Sequence, residues 1–183
     1  GVDESNFNFH QIAVPTGAYF DEAQIRITAD VDSGSENWYI DDFEISDNTC
    51  GGVSNYCFAN PNSVSINGAN ISILGSTSLA ANDLTLLTSS CPTLSFGIYI
   101  FGDQQTQVFL GNGFLCVSGT PVYRLGVAQA DIFVTSFLTL DNQNLPGGLM
   151  INPSDTYNGQ LWYRDSVGAG FNLSNGVEIN FCP

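Results

Sequence analysis

The side chains of this chain that could carry acid–base or nucleophilic chemistry are a single histidine, His10, eighteen carboxylates and five cysteines. A nucleophile triad would need His10 beside an activated Ser or Cys and an orienting acid. His10 stands in FNFHQIAV, and the chain has no G-x-S-x-G elbow, so His10 reads as a strand residue. Glycoside hydrolysis requires two carboxylates on opposite sides of a bound sugar. Eleven of the eighteen acids fall within residues 1–50, where an acidic solvated surface accounts for them. The glycine pairs of Gly111–Gly113 and Gly168–Gly170 look like pieces of a phosphate loop, but neither opens a helix or has the third glycine, so both are expected to be turns. The expectation is a chain that is not an enzyme.

Binding chemistry has more candidates. Asp30, Asp32, Glu36, Asp41 and Asp42 surround the turn VDSGSEN, and oxygen ligands at that density suit the hard Ca²⁺ ion. They are the expected metal ligands, with Ca²⁺ the one cofactor suggested. Tyr99, Trp162 and Tyr163, with Phe101 and Phe171, are candidates for a stacking platform for sugar rings. Strand alternation sends about half of such residues into a core. Asn70–Ser72 and Asn172–Ser174 match the N-glycosylation pattern and are expected at polar, surface-like positions.

The remaining composition narrows the partners and the compartment. Lysine is absent and the three cations are Arg26, Arg124 and Arg164, for a net charge of -15. A phosphate backbone would be repelled, so nucleic acid is excluded as a partner. Charged residues make up 11% of the chain, against about a quarter in typical domains. The surface is therefore covered mainly by Asn, Ser, Thr, Gln and Gly, as suits the cell exterior. The cysteines, Cys50, Cys57, Cys91, Cys116 and Cys182, form no C-x-x-C and have no histidine cluster, so disulfides in an oxidising compartment are expected. An odd count leaves one thiol over. No apolar run is long enough to span a bilayer. The only methionine is Met150 and no leader precedes Gly1, which predicts a processed or truncated product.

The elements that position these groups read as strands. Ala23–Val31, Trp38–Ile45, Ser63–Leu74, Phe96–Phe101, Gln107–Leu110, Ile132–Leu140, Gln160–Tyr163 and Val177–Phe181 are short, β-branched or aromatic, and bounded by Gly, Asn, Pro or Asp. Leu79–Leu87 and Val122–Ala130 lack a sustained helical stripe and are expected to be strand or loop. The predicted class is all-β, an antiparallel β-sandwich of Ig-like or jelly-roll type, with a partial second sandwich at the N-terminus. Residues 1–47 are expected to hold about three strands, residues 48–54 a linker around Gly51–Gly52, and residues 55–183 a complete sandwich. Three strands cannot close a two-layer core, so the first unit is expected to be completed by another segment or another chain.

From Asn55 to Pro183 the chain resembles a cysteine-bounded domain that recurs at the C-terminal ends of secreted bacterial proteins. The matching motifs are NYC at Asn55–Cys57, SLAANDLTL at Ser78–Leu86, FGIYIFG at Phe96–Gly102, GNGFLC at Gly111–Cys116, LWYRD at Leu161–Asp165 and GFNLSNGVEINFC at Gly170–Cys182. WYIDDFEI at Trp38–Ile45 is similar to the last strand of jelly-roll domains of the MAM or carbohydrate-binding type, whose first half is missing here. The resemblance implies a secreted accessory module with no catalytic residue to transfer. It also implies disulfides Cys57–Cys182 and Cys91–Cys116, leaving Cys50 unpaired or bonded to another chain.

The expected function is a structural or assembly role at the cell exterior, with this chain as a surface-filament subunit that uses strand addition at an open edge. Its partners would be further copies or another surface protein. The alternative is an accessory module that binds carbohydrate or surface polymer, released from a larger secreted hydrolase.

Overall fold

A computed structural model describes residues 51–183. The chain divides into two units, Gly1–Ser46 and Asp47–Pro183. The partial jelly-roll expected over residues 1–47, the proposed calcium ligands Asp30, Asp32, Glu36, Asp41 and Asp42, and the leftover cysteine Cys50 all lie outside the described residues.

The second unit is all-β. Its strands are β1 (Val53–Tyr56), β2 (Asn70–Leu74), β3 (Thr85–Ser89), β4 (Phe96–Gly102), β5 (Gln104–Leu110), β6 (Gly113–Ser118), β7 (Tyr123–Gln129), β8 (Ser136–Thr139), β9 (Thr156–Arg164), β10 (Phe171–Leu173) and β11 (Gly176–Asn180). The main sheet runs β1-β11-β9-β4-β7, with β10 also paired to β9. A second sheet runs β2-β3-β8, and β5-β6 is a separate hairpin. Every ladder between these strands is antiparallel. Val53 and Ser54, expected in the linker, belong to β1 and pair with Ile179 and Glu178.

Period-two alternation divides the main sheet cleanly. On β4 the inward set is Gly97, Tyr99 and Phe101, and on β9 it includes Leu161 and Tyr163, all buried. They meet Ile71, Leu86 and Leu138 of the second sheet, with Val177, Ile179 and Phe181 completing the core. The layers are also joined by a polar tie. The Tyr99 hydroxyl donates to the Ser136 carbonyl at 2.8 Å and meets Thr88 Oγ1 at 3.0 Å. A buried phenol needs such partners.

Long apolar runs are divided where a polar turn is better satisfied than a strand. Of Ser63–Leu74 only Asn70–Leu74 is strand, because Asn62 Oδ1 accepts from the backbone N–H groups of Val64 and Ser65 and folds the preceding stretch into a turn. Of Ile132–Leu140 only Ser136–Thr139 is strand, because Asp131 Oδ1 accepts from Phe133 N at 2.8 Å and Thr135 N at 2.9 Å.

The cysteines pair differently from the scheme implied by the resemblance. Cys57 is bonded to Cys116, and Cys91 is a free, buried thiol. Cys182 is disulfide-bonded, but not to Cys57. The sheet explains why. Cys57 follows Tyr56, which sits opposite Gly176 at the start of β11, whereas Cys182 lies beyond its end. Six residues of extended chain separate Gly176 from Cys182, or about 20 Å at ~3.3 Å per residue, far outside disulfide reach. Cys91 and Cys116 are kept apart by the main sheet itself. Cys91 lies on the core side, its N–H donating to Val134 O, and Cys116 lies on the outer side against Gln160.

Burial, with the nearby charge of Asp131, pushes the Cys91 thiol up to about 12 from an ordinary 9.0. A thiol reagent at pH 8 is therefore expected to label Cys91 only as fast as the domain opens, with full reactivity in denaturant. The folded protein keeps this proton where the unfolded chain has lost it. The stabilisation is complete below about pH 9 and falls away as pH rises toward 12. Rapid labelling at Cys91 itself in the native protein at pH 8 would contradict the buried placement.

Candidate functional site

The outer face of the main sheet is the most unusual surface among the described residues. Part of it is covered by the β5–β6 hairpin, and the covering is built from three attachments. The Cys57–Cys116 disulfide ties β6 to the end of β1. The Tyr56 hydroxyl donates to Cys116 O at 2.9 Å, and burial, with the charge of Glu178 adding, holds that phenol well above its ordinary value. Gln160, fully buried on β9, accepts from Cys116 N at 2.9 Å and donates to Phe114 O at 2.8 Å and Ser174 O at 2.6 Å. The Tyr56 ring lies so close to Gly176 that a Cβ there would sit 2.5 Å from its Cζ, so the position requires glycine.

The rest of this face is open. Ile98 and Ile100 of β4, Arg124 of β7 with Val122 just before it, Trp162 of β9 and Leu173 of β10 line a depression of about 340 Å³, bounded on the hairpin side by Leu110 and Leu115. A second depression of about 190 Å³ continues it past Phe96, Val127 and Arg164. Ile98 and Trp162 belong to both, so the two form one trough along the sheet. Trp162 is braced edge-to-face by Phe171, with ring centroids 5.6 Å apart. Phe96 is 55% and Val127 65% exposed, which is unusual for side chains this large so close together.

The lining contains no acid. Arg124 and Arg164 are the only cations in residues 51–183. Among the described residues neither forms an ion pair. This surface offers apolar area, one indole and two uncommitted guanidinium groups, a chemistry suited to holding an apolar segment that carries negative charge.

A second feature lies on the hairpin. β5, with the sequence QQTQVFL, pairs with β6 on one side and with no strand on the other among the described residues. It has no charged residue and no proline, and Val108, Phe109 and Leu110 are exposed. Edge strands are usually protected by such residues, and here a register shift between Gln105 and Val108 is the only irregularity.

The residues expected to form a sugar platform are not on one surface. Tyr99 and Tyr163 point into the core, where Asn62 Nδ2 donates to the Tyr163 hydroxyl at 2.9 Å, while Trp162 points outward. Neighbours 162 and 163 on a strand must face opposite sides. Phe101 is likewise buried. Asn70 is exposed as expected, but Asn172 is fully buried and donates to Pro61 O at 2.9 Å, so it anchors the β1–β2 loop instead of marking a surface. Among the described residues no three His, Cys, Asp or Glu side chains are grouped to hold a metal ion, and no helix is long and apolar enough to cross a membrane.

Sequence reasoning did not single out Arg124, Arg164 or the full β5 edge. The one available signal was that the second unit has only two cations, and nothing local shows that they share a face. Compared with known proteins, the chain matches no family model, no curated protein and no solved structure.

Proposed function

We propose that this chain is a non-catalytic extracellular structural module that associates with further copies of itself, as the subunit of a surface filament or sheath. The observation that carries the reading is β5, a seven-residue edge strand without charge or proline and with three successive exposed apolar residues. Such an edge offers main-chain donors and acceptors to an incoming strand, and its side chains add apolar area. The Cys57–Cys116 bond suits an oxidising location, in keeping with the resemblance of Asn55–Pro183 to secreted C-terminal modules.

Light scattering of the intact chain, under non-reducing conditions and over a concentration series, is expected to show assemblies larger than a monomer. Val108→Lys places a charge on the exposed edge at little cost to the fold, Val108 being 57% exposed. It is expected to weaken association at least tenfold. A parent that stays monomeric throughout defeats the reading.

The alternative, an accessory module for carbohydrate or surface polymer, is favoured by one observation, the outward-facing Trp162. Its surroundings are Phe, Ile, Leu and Val and few hydrogen-bonding groups, which suits a protein segment better than a sugar. Binding of a glycan on an array, lost in Trp162→Ala, would reverse that preference.

A further inference from the structure

We infer that the trough beside Trp162 is the acceptor for one particular part of a second copy of this chain, the β7–β8 loop carrying Ile132 and Phe133. The inference rests on the assembly reading and adds to the β5 edge a second contact, both being needed to hold copies together.

Charge restricts the choice first. With a net charge of -15, two copies repel over most of their surfaces, and any stable contact must be organised where that repulsion is relieved. Among residues 51–183 the only cations are Arg124 and Arg164, and both border the trough. Their guanidinium groups lie beside apolar side chains with no acid in the lining. The occupant that complements this site presents large apolar side chains next to a carboxylate.

The β7–β8 loop has that chemistry. Ile132 is 69% and Phe133 75% exposed, immediately after Asp131. Phe133 therefore does not fill the trough of its own chain. The loop is also held in shape. Asp131 Oδ1 accepts from Phe133 N and Thr135 N, Asp131 N donates to Thr135 O, and Val134 O accepts from Cys91 N at 2.8 Å. A projection fixed in this way loses little freedom on docking, which favours its use as an anchor. Other exposed apolar residues, such as Phe58 and Ile66, have no acid beside them in the chain.

Projection and trough are different surfaces, so their pairing joins unlike patches and either closes into a ring or propagates as a filament. That property makes the inference testable with the full chain. One variant, Ile132→Ser/Phe133→Ser, removes the projection and keeps the trough. A second, Arg124→Glu/Arg164→Glu, reverses the trough charge and keeps the projection. All four positions are exposed, and circular dichroism checks that both variants fold.

At concentrations where the parent assembles, each variant alone is expected to be monomeric by light scattering. Their equimolar mixture is expected to form one-to-one pairs, since the first variant supplies an intact trough and the second an intact projection, while the altered surface on each stops further growth. If either variant assembles like the parent, the inference is overturned, and the assembly reading survives provided Val108→Lys still disrupts association. Monomeric variants whose mixture fails to pair also overturn it. A monomeric parent overturns both.

Discussion

Replacing Cys57 and Cys116 by serine is expected to destabilise the second unit by about 4 kcal/mol, the loop-entropy value for a closure of this length. The bond joins residues 59 apart in sequence. Reducing agent, which also breaks the Cys182 disulfide, should produce at least this loss in the parent, seen as a lower denaturant midpoint. The effect extends beyond stability. The bond fastens β6 over the outer face, and β6 with β5 forms one wall of the trough through Leu110 and Leu115. The serine variant should therefore lose self-association at denaturant concentrations where the core sheets remain folded. If the serine variant matched the parent in both midpoint and assembly, the hairpin would be held by other contacts alone.

The second large effect is expected at Gln160. It is a fully buried amide whose three hydrogen bonds reach β6 at two points and Ser174 at a third. Gln160→Leu nearly preserves the volume but leaves the Cys116 N–H and the carbonyls of Phe114 and Ser174 without this partner. Buried unsatisfied groups cost ~1–3 kcal/mol each, and partial rearrangement brings the expected loss to about 3 kcal/mol. Hydrogen exchange gives the more specific readout. Protection should fall first at Cys116, whose N–H loses its acceptor, while the β4–β9 ladder is retained. An unchanged exchange rate at Cys116 would mean that Gln160 does not hold the hairpin.

Both predictions concern the attachment of one hairpin, which organises the candidate site. β4 and β9 pair whether or not β5–β6 lies over them, because their inward side chains are buried against the second sheet. Their outward side chains, Ile98, Ile100 and Trp162, line the larger part of the trough, whose other wall is Leu110 and Leu115 of the hairpin. Stability of the core and competence for docking can therefore be separated by experiment.

Much of this architecture follows from local sequence. The aromatic run FGIYIFG alternates with period two and becomes β4; Gln160–Tyr163 and Val177–Phe181 lie in or overlap β9 and β11. The glycines at 111, 168 and 170 mark turns, each with positive φ. These are short-range effects of side-chain sterics and backbone freedom, and they need no knowledge of the partner strand.

What tertiary structure alone decided is which distant residues meet. The all-β class, the strands and the extreme acidity were present in composition and periodicity. Cysteine pairing was not, because it depends on which side of the main sheet Cys91 and Cys116 occupy and on which end of β11 adjoins Cys57. Nor was the site. Tyr99, Trp162 and Tyr163 look alike in sequence, but strand direction sends two of them into the core and one to the surface. Arg124 and Arg164, forty residues apart in the chain, come to one apolar trough because β7 and β9 flank β4 in the same sheet. Sequence determines the faces of each strand; only the order of strands in the sheet determines which faces combine.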